Sequence, residues 1–301
     1  MQIFYTDHFI LPVPAGHRFP MQKYRLLREQ VQHADWLQGH TLVEPPAATM
    51  PQLLRAHSAV YVDQIMQGNL SAAEVRRIGF PWSPQMVERS RRAAGATLTA
   101  AHQALRDGVA ISLAGGTHHA CTGHGEGYCV FNDSAVAAFE LQALGLVKRV
   151  LVVDLDVHQG NGTAEIMTDH EWCYTFSMHG AKNYPFRKVA SDCDIALADG
   201  TTDDEYLTTL GSALDHVFHV ARPDFVIYVS GADPYEGDSL GRLKLTKTGL
   251  ATRDALVAQM IRSFGVPCVV TMAGGYAYDI NDCVAIHANT VRTFVTMNAP
   301  L

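Results

Sequence analysis

The chain has 301 residues, of which 48% are hydrophobic and 18% charged, a globular balance that excludes a disordered polymer. Lys and Arg total 23 against 30 Asp and Glu, and the resulting net charge of −7 argues against a general binder of nucleic-acid backbones. No apolar run approaches the ~20 residues of a membrane helix, and Met1 to Ile10 lack the basic region, apolar core and small cleavage site of a signal peptide.

A strand is predicted at Gln2–Tyr5, followed by helices at Met21–His33, Pro51–Gln67 and Pro84–Arg106. A strand at Ala110–Leu113 and a helix at Asp133–Leu144 come next, then strands at Val150–Asp154 and Trp172–Ser177. The last third alternates regularly: helix Thr202–Val220, strand Phe225–Ser230, helix Thr246–Phe264, strand Cys268–Met272, helix Asp279–Met297. Near-continuous apolar runs such as Phe225-Val226-Ile227-Tyr228-Val229 suit parallel strands covered on both faces. The expectation is an α/β fold with one parallel β-sheet flanked by helices on both faces, built by right-handed crossovers. No repeat or Ser/Gly linker interrupts the chain, so residues 1–301 read as a single domain. Six cysteines are scattered without a Cys-x-x-Cys pair, which suggests reduced thiols in a cytoplasmic protein.

In such folds ligands bind beyond the carboxyl ends of the strands, and there the polar residues gather. Gly115-Gly116-Thr117-His118-His119 follows one strand, Asp154-Leu155-Asp156-Val157-His158 closes another, and Gly231-Ala232-Asp233 and Gly274-Gly275-Tyr276 follow two more. In an extended segment alternate side chains share a face, so Asp156 and His158 can reach one ion, with Asp154 on the same side. Asp233 is the candidate third ligand. One imidazole and two carboxylates leave a coordination position free, the layout of a catalytic zinc site, and the set is hard enough for Fe(II). Taken alone, Asp-x-Asp-x-His also describes a strand end with capping carboxylates and a solvated His. Asp233 and the tandem histidines shift the reading to a metal centre.

His118 and His119 suit a site in which one imidazole is a base and the other an electrostatic partner. If Asp154 accepts from His118, the imidazolium is favoured; if Asn161 faces His119, that ring stays nearer neutral. Tyr276, after two glycines, is a candidate donor to an oxygen that becomes negative when a carbonyl is attacked.

These residues resemble the zinc-dependent histone deacetylases of the arginase–deacetylase superfamily, and within them the class IV branch, which includes bacterial members. The resemblance rests on GGTHHACTGHGEGYCVFND (115–133), VLVVDLDVHQGNG (150–162), SGADPYEGDSLG (230–241) and AGGY (273–276). Class IV-like stretches are GFPWSPQMVERSRRAAGATLTA (79–100), DDEYL (203–207) and NYPFRK (183–188). It implies that Asp156, His158 and Asp233 bind zinc, that His118 and His119 are the catalytic pair, and that Tyr276 polarises the substrate carbonyl. It implies a structural potassium ion held by Asp154, the Ser177 side chain and main-chain oxygens of Asp156, His158 and Met178. Tyr128 and Tyr184 become tunnel walls, Leu240 an apolar gatekeeper, and Gly127 and Gly275 part of the substrate-binding set. Asn161 stands where class I members carry an aspartate, as in classes II and IV. The rim aspartate that grips the substrate backbone in class I enzymes has no clear match.

The activity so implied is hydrolysis of Nε-acyl-lysine, acetyl or longer, in a peptide or protein. Two alternatives stand beside it: deacetylation of a small acylated amine, and an inactive acyl-lysine-binding scaffold. Polyamine-selective relatives have an acidic gatekeeper where this chain has Leu240, which argues against a polyamine. No direct nucleic-acid or membrane partner is expected, and the oligomeric state is left open.

Overall fold

The computed structural model describes residues 1–14 and 16–297. Its strands are β1 (Gln2–Phe4), β2 (Thr41–Val43), β3 (Val109–Ser112), β4 (Val150–Asp154), β5 (Cys173–Gly180), β6 (Cys193–Leu197), β7 (Phe225–Ser230) and β8 (Cys268–Met272). They form one sheet in the order β2-β1-β3-β8-β7-β4-β5-β6, with every neighbouring pair parallel. The helices are α1 (Gln22–Gln32), α2 (Met50–Leu53), α3 (Ala59–Gln67), α4 (Ala72–Ile78), α5 (Pro84–Asp107), α6 (Asp133–Ala143), α7 (Asn161–Met167), α8 (Asp203–Ala221), α9 (Lys247–Phe264) and α10 (Ile280–Met297).

Strand residues alternate between two apolar layers, which is why these strands read as continuous apolar runs. Val150, Val152, Ile227, Val229 and Val269 pack on one face with residues of α3, α5, α6 and α7. Leu151, Val153, Val226, Tyr228 and Val270 pack on the other with residues of α1, α8, α9 and α10. The strands β3, β8, β7 and β4 are contiguous in the sheet. The four polar loops that follow them therefore emerge side by side along one edge.

The expected helix Pro51–Gln67 is two helices. Thr49 opens α2 with a capping box, and Ser58 caps α3 by accepting from the Tyr61 backbone N–H at 3.3 Å. Tertiary contacts hold the break open: Ser58 N–H donates to Thr122 O at 2.8 Å, and His57 Nδ1 lies 2.9 Å from Cys121 O. The edge strands β2 and β6 were not expected; in β6 only Leu197 is buried, so it lacks a continuous covered apolar run. The short α4 was also missed, although its capping box, Ser71 with Glu74, is a legible start signal. Trp172–Ser177 extends instead over Cys173–Gly180.

His57 is 3% exposed, and its Nε2 accepts the Asn132 backbone N–H at 2.9 Å, so the ring must be neutral in the fold. Burial pushes its pKa down to about 4. The unfolded chain binds the proton near pH 6.5, so this contribution to stability is complete above that pH and is lost as pH falls toward 4. The difference in unfolding free energy between the native chain and His57→Gln should shrink by about 2 kcal/mol from roughly pH 7.5 to roughly pH 5, at ~1.36 kcal/mol per pKa unit. Urea titrations of both proteins measure it; a pH-independent difference would contradict the assignment.

Candidate active site

Beyond β4 the chain turns so that Asp156 and His158 meet Asp233, which follows β7. One ligand atom from each of the three lies within 4.8 Å of the others, and all three residues are buried. His158 Nδ1 is 3.0 Å from Asp156 Oδ1 and 3.1 Å from Asp233 Oδ2. Backbone donors aim the carboxylates: Val157 N–H to Asp233 Oδ1 at 2.9 Å, His158 N–H to Asp156 Oδ1 at 2.9 Å, and Gly274 N–H to Asp156 Oδ2 at 2.7 Å. Gly274 must be glycine, because a Cβ there would strike Asp233 Oδ2. Burial, then the Asp156 charge, push the Asp233 carboxyl up to about 7. Two buried carboxylates under mutual repulsion, with an imidazole between them, fit a divalent cation.

Arg253, fully buried on α9, holds the two ligand-bearing loops together. Its Nη1 donates to Gly231 O at 2.6 Å and Leu155 O at 3.3 Å, and its Nη2 donates to Ser230 Oγ at 2.9 Å. Asp254 balances the charge, with Nη2 2.8 Å from Oδ1.

The tandem histidines are presented by a loop clamped on Asp133, the first residue of α6. That carboxylate accepts from Gly116 N–H at 3.0 Å, Thr117 N–H at 2.7 Å and Thr97 Oγ1 at 2.6 Å. Asn132 caps α6 and donates to Ala120 O at 3.1 Å. His118 Nδ1 donates to Asp154 Oδ2 at 2.6 Å. Burial opposes its charge, but Asp154 and Asp156 outweigh that and push its pKa up to about 9, which favours the imidazolium.

His119 is the opposite case. Burial, then the charges of His118 and His158, hold its pKa well below the usual range. Its Nδ1 lies 2.6 Å from Asn161 Oδ1. The Asn161 amide is oriented by Glu126, whose Oε1 accepts from Asn161 Nδ2 at 2.7 Å. The amide oxygen therefore faces His119, Nδ1 carries the proton, and Nε2 is left as a base. The structure thus brings Asp154 to His118 and Asn161 to His119. The Glu126 carboxylate also faces the Tyr184 phenol, whose pKa is pushed up by burial and then by Glu126.

Tyr276 follows β8. Its backbone N–H donates to Asp238 Oδ2 at 2.6 Å, and Ser239 Oγ donates to its carbonyl at 2.7 Å. Burial, then the Asp233 and Asp156 charges, hold the phenol protonated well above its usual range, as a donor requires. Its ring centroid is 6.4 Å from that of His158.

A cavity of about 360 Å³ reaches this centre, with His119, His158 and Tyr276 among its lining residues and Gly127, Tyr128, Tyr184 and Leu240 along its sides. Tyr128 holds a left-handed backbone at φ 67°, a conformation that costs on the order of 1 kcal/mol or more in a non-glycine residue. Its N–H donates to Ile78 O at 2.8 Å. Gly127 has φ +55°, and a Cβ there would press on the His119 ring at 2.7 Å. A smaller inner cavity of about 60 Å³ is lined by Phe19, Lys23, Tyr24, Arg89, His118 and Tyr276, among others.

Of the residues predicted to bind substrate, Gly275 alone lines neither of these two cavities. Its carbonyl turns toward the buried Lys23 Nζ at 3.5 Å, and Gly274 takes the lining position. Asp154 lies opposite Ser177 in the β4–β5 register, with Met178 next along the strand. The Ser177 hydroxyl is 3.0 Å from His179 Nδ1. Sequence reasoning missed Glu126, Asp133, Asp238 and Arg253 as individual contributors. The first three stand inside the quoted motifs, whereas Arg253 looks like any polar position of an amphipathic helix.

The chain matches the histone deacetylase domain over residues 17–291. It is 41% identical over 286 residues to an uncharacterized protein of Picosynechococcus, covering 95% of each chain, and 32% identical to histone deacetylase 2 of Arabidopsis thaliana, covering 90% of this chain and 72% of that one. The crystal structure of a histone deacetylase homologue from Aquifex aeolicus superposes with a TM-score of 0.83 at 23% identity, over 98% of this chain and 83% of that one. Fold and edge loops together define an α/β protein of the arginase–deacetylase superfamily. The chain belongs to the histone deacetylase family, as a deacetylase-type hydrolase acting on amides.

Proposed function

We propose that residues 1–301 act as one catalytic domain that removes acetyl groups from Nε-acetyl-lysine with a divalent metal, zinc or Fe(II), held by Asp156, His158 and Asp233. The observation that carries this reading is the convergence of that triad with His119 and Tyr276 in a cavity sided by Tyr128, Tyr184 and Leu240. When bound, the metal supplies Lewis-acid activation of the water and the amide carbonyl. His119 Nε2 takes a proton from the attacking water and returns it to the departing lysine nitrogen. The His118 imidazolium, held by Asp154, supplies positive charge beside the reacting atoms. The Tyr276 phenol donates to the oxygen that gains negative charge. Tyr128 and Tyr184 flank the apolar lysine stem. Asp154, Ser177 and Met178 would hold the structural potassium ion expected from the resemblance. Six unpaired cysteines suit the reducing cytoplasm.

Four cations at the cavity mouth, Arg76, Arg77, Lys182 and Arg242, disfavour a cationic small amine as substrate. An inactive scaffold is disfavoured because every position of the reaction centre is filled by a competent side chain. The inner cavity is lined by His118 and Tyr276, where the acyl group of the substrate would sit, and acetyl is the group that the resemblance implies by default. Purified protein loaded with zinc or Fe(II) is expected to deacetylate a neutral acetyl-lysine peptide, to lose that activity to a chelator, and to process the myristoyl analogue more slowly. Hydrolysis of N-acetylputrescine with no hydrolysis of any acyl-lysine peptide would overturn the reading; faster myristoyl turnover would overturn the acetyl assignment.

A further inference from the structure

The mouth of the cavity carries charge opposite to that of the chain as a whole. Its lining includes Arg76, Arg77, Lys182 and Arg242, all exposed, and no Asp or Glu, in a protein of net charge −7. These cations come from three separate segments, each tied to a cavity wall. Arg77 O accepts the Gly127 N–H at 3.1 Å. Lys182 stands two residues before Tyr184, and Arg242 two residues after Leu240. Asn183 joins the latter two segments by donating to Leu240 O at 2.8 Å.

Compensation by the protein is partial. Asp199 alone serves two of the cations, 3.7 Å from Lys182 Nζ and 3.3 Å from Arg242 Nη1. Arg76 and Arg77 make no ion pair among the described residues. Both sit in the last turn of α4, where basic side chains complement the helix dipole. That accounts for their place on the helix but not for Lys182 and Arg242, which belong to other segments of the same rim.

An acylated lysine is uncharged, so the stem inside the cavity offers these cations nothing. Neighbouring residues of an extended substrate advance by ~3.3–3.6 Å each, so side chains one or two positions away remain at the mouth. We infer that this site selects acetyl-lysines flanked by Asp or Glu in a peptide segment. The inference rests on the acetyl-lysine reading above and names the sequence context that reading leaves open. Long cations that engage substrate side chains also give the rim a grip on the peptide where the class I rim aspartate has no clear match.

The test uses the metal-loaded enzyme and three peptides of equal length with a central acetyl-lysine, flanked by Asp/Glu, by Asn/Gln or by Lys/Arg. At low ionic strength kcat/KM for the acidic peptide is expected to exceed that for the neutral one by about tenfold, and the basic one to fall below both, with the effect in KM. Near 1 M salt, where the Debye length is ~3 Å, the three should converge. Charge reversal in two independent pairs, Arg76→Glu with Arg77→Glu and Lys182→Glu with Arg242→Glu, should each lower the acidic-to-basic ratio, so one misfolded variant leaves the other informative. Fluorescence anisotropy with labelled peptides on the His119→Ala protein should give the same order of Kd. Turnover of the neutral peptide equal to or above that of the acidic one would overturn this inference alone. Absence of turnover on all three would overturn the acetyl-lysine reading and this inference with it.

Discussion

Replacing His119 with Ala is expected to lower kcat on an acetyl-lysine peptide by about 10²–10⁴-fold, the range of a lost general base. The expectation follows from a chain of three side chains. Glu126 orients the Asn161 amide, the amide oxygen takes the Nδ1 proton, and Nε2 is left as the base. The chain makes a graded series. Glu126→Gln keeps the size of the side chain but removes the charge that fixes the amide, so kcat should fall by a much smaller factor, about tenfold. Tyr276→Phe removes one donor to the developing oxyanion and should cost about 10²–10³-fold. Steady-state kinetics on the metal-loaded proteins measures all three. A His119→Ala protein with full turnover would assign the proton transfer elsewhere.

The second large effect concerns stability. Arg253→Met is expected to destabilise the fold by about 3–5 kcal/mol, because it leaves Asp254 as a buried charge without its partner. Asp254 is 1% exposed at its side chain, and its remaining partners, Tyr228 and Thr290, donate at 2.6 Å each but carry no charge. The same substitution frees the carbonyls of Gly231 and Leu155, so the loops bearing Asp233 and Asp156 lose their common clamp. Chemical unfolding of the metal-free proteins isolates the stability term from ligand stabilisation. Adding Asp254→Leu to Arg253→Met should recover much of the loss, since no charge is then stranded. A single variant as stable as the native chain would show that the pair carries no net burden in the core.

The parts of this molecule that were legible in the sequence are those whose physics is local. The central strands announced themselves as apolar runs because both faces are covered, and the loops after β3, β4, β7 and β8 announced themselves by polar residues beside glycines. Alternation within a strand end put Asp156 and His158 on one face. What was not legible depends on contacts across the fold. The break between α2 and α3 is held by the loop at Cys121 and Thr122, a contact no helical pattern encodes. The edge strand β6 alternates because one of its faces is partly exposed. Glu126 and Asp238 act only through the residues they touch, Asn161 and Tyr276. Gly275, which the resemblance places in the substrate-binding set, turns its carbonyl toward the buried Lys23, a contact its motif does not encode.

The central claim, that three side chains from two strand ends hold one catalytic divalent ion, is tested most directly by calorimetric titration of zinc into the metal-free protein. One ion per chain is expected, with near-complete loss of that binding in Asp233→Ala and secondary structure intact by circular dichroism. Undiminished stoichiometric binding by a folded Asp233→Ala protein would contradict it.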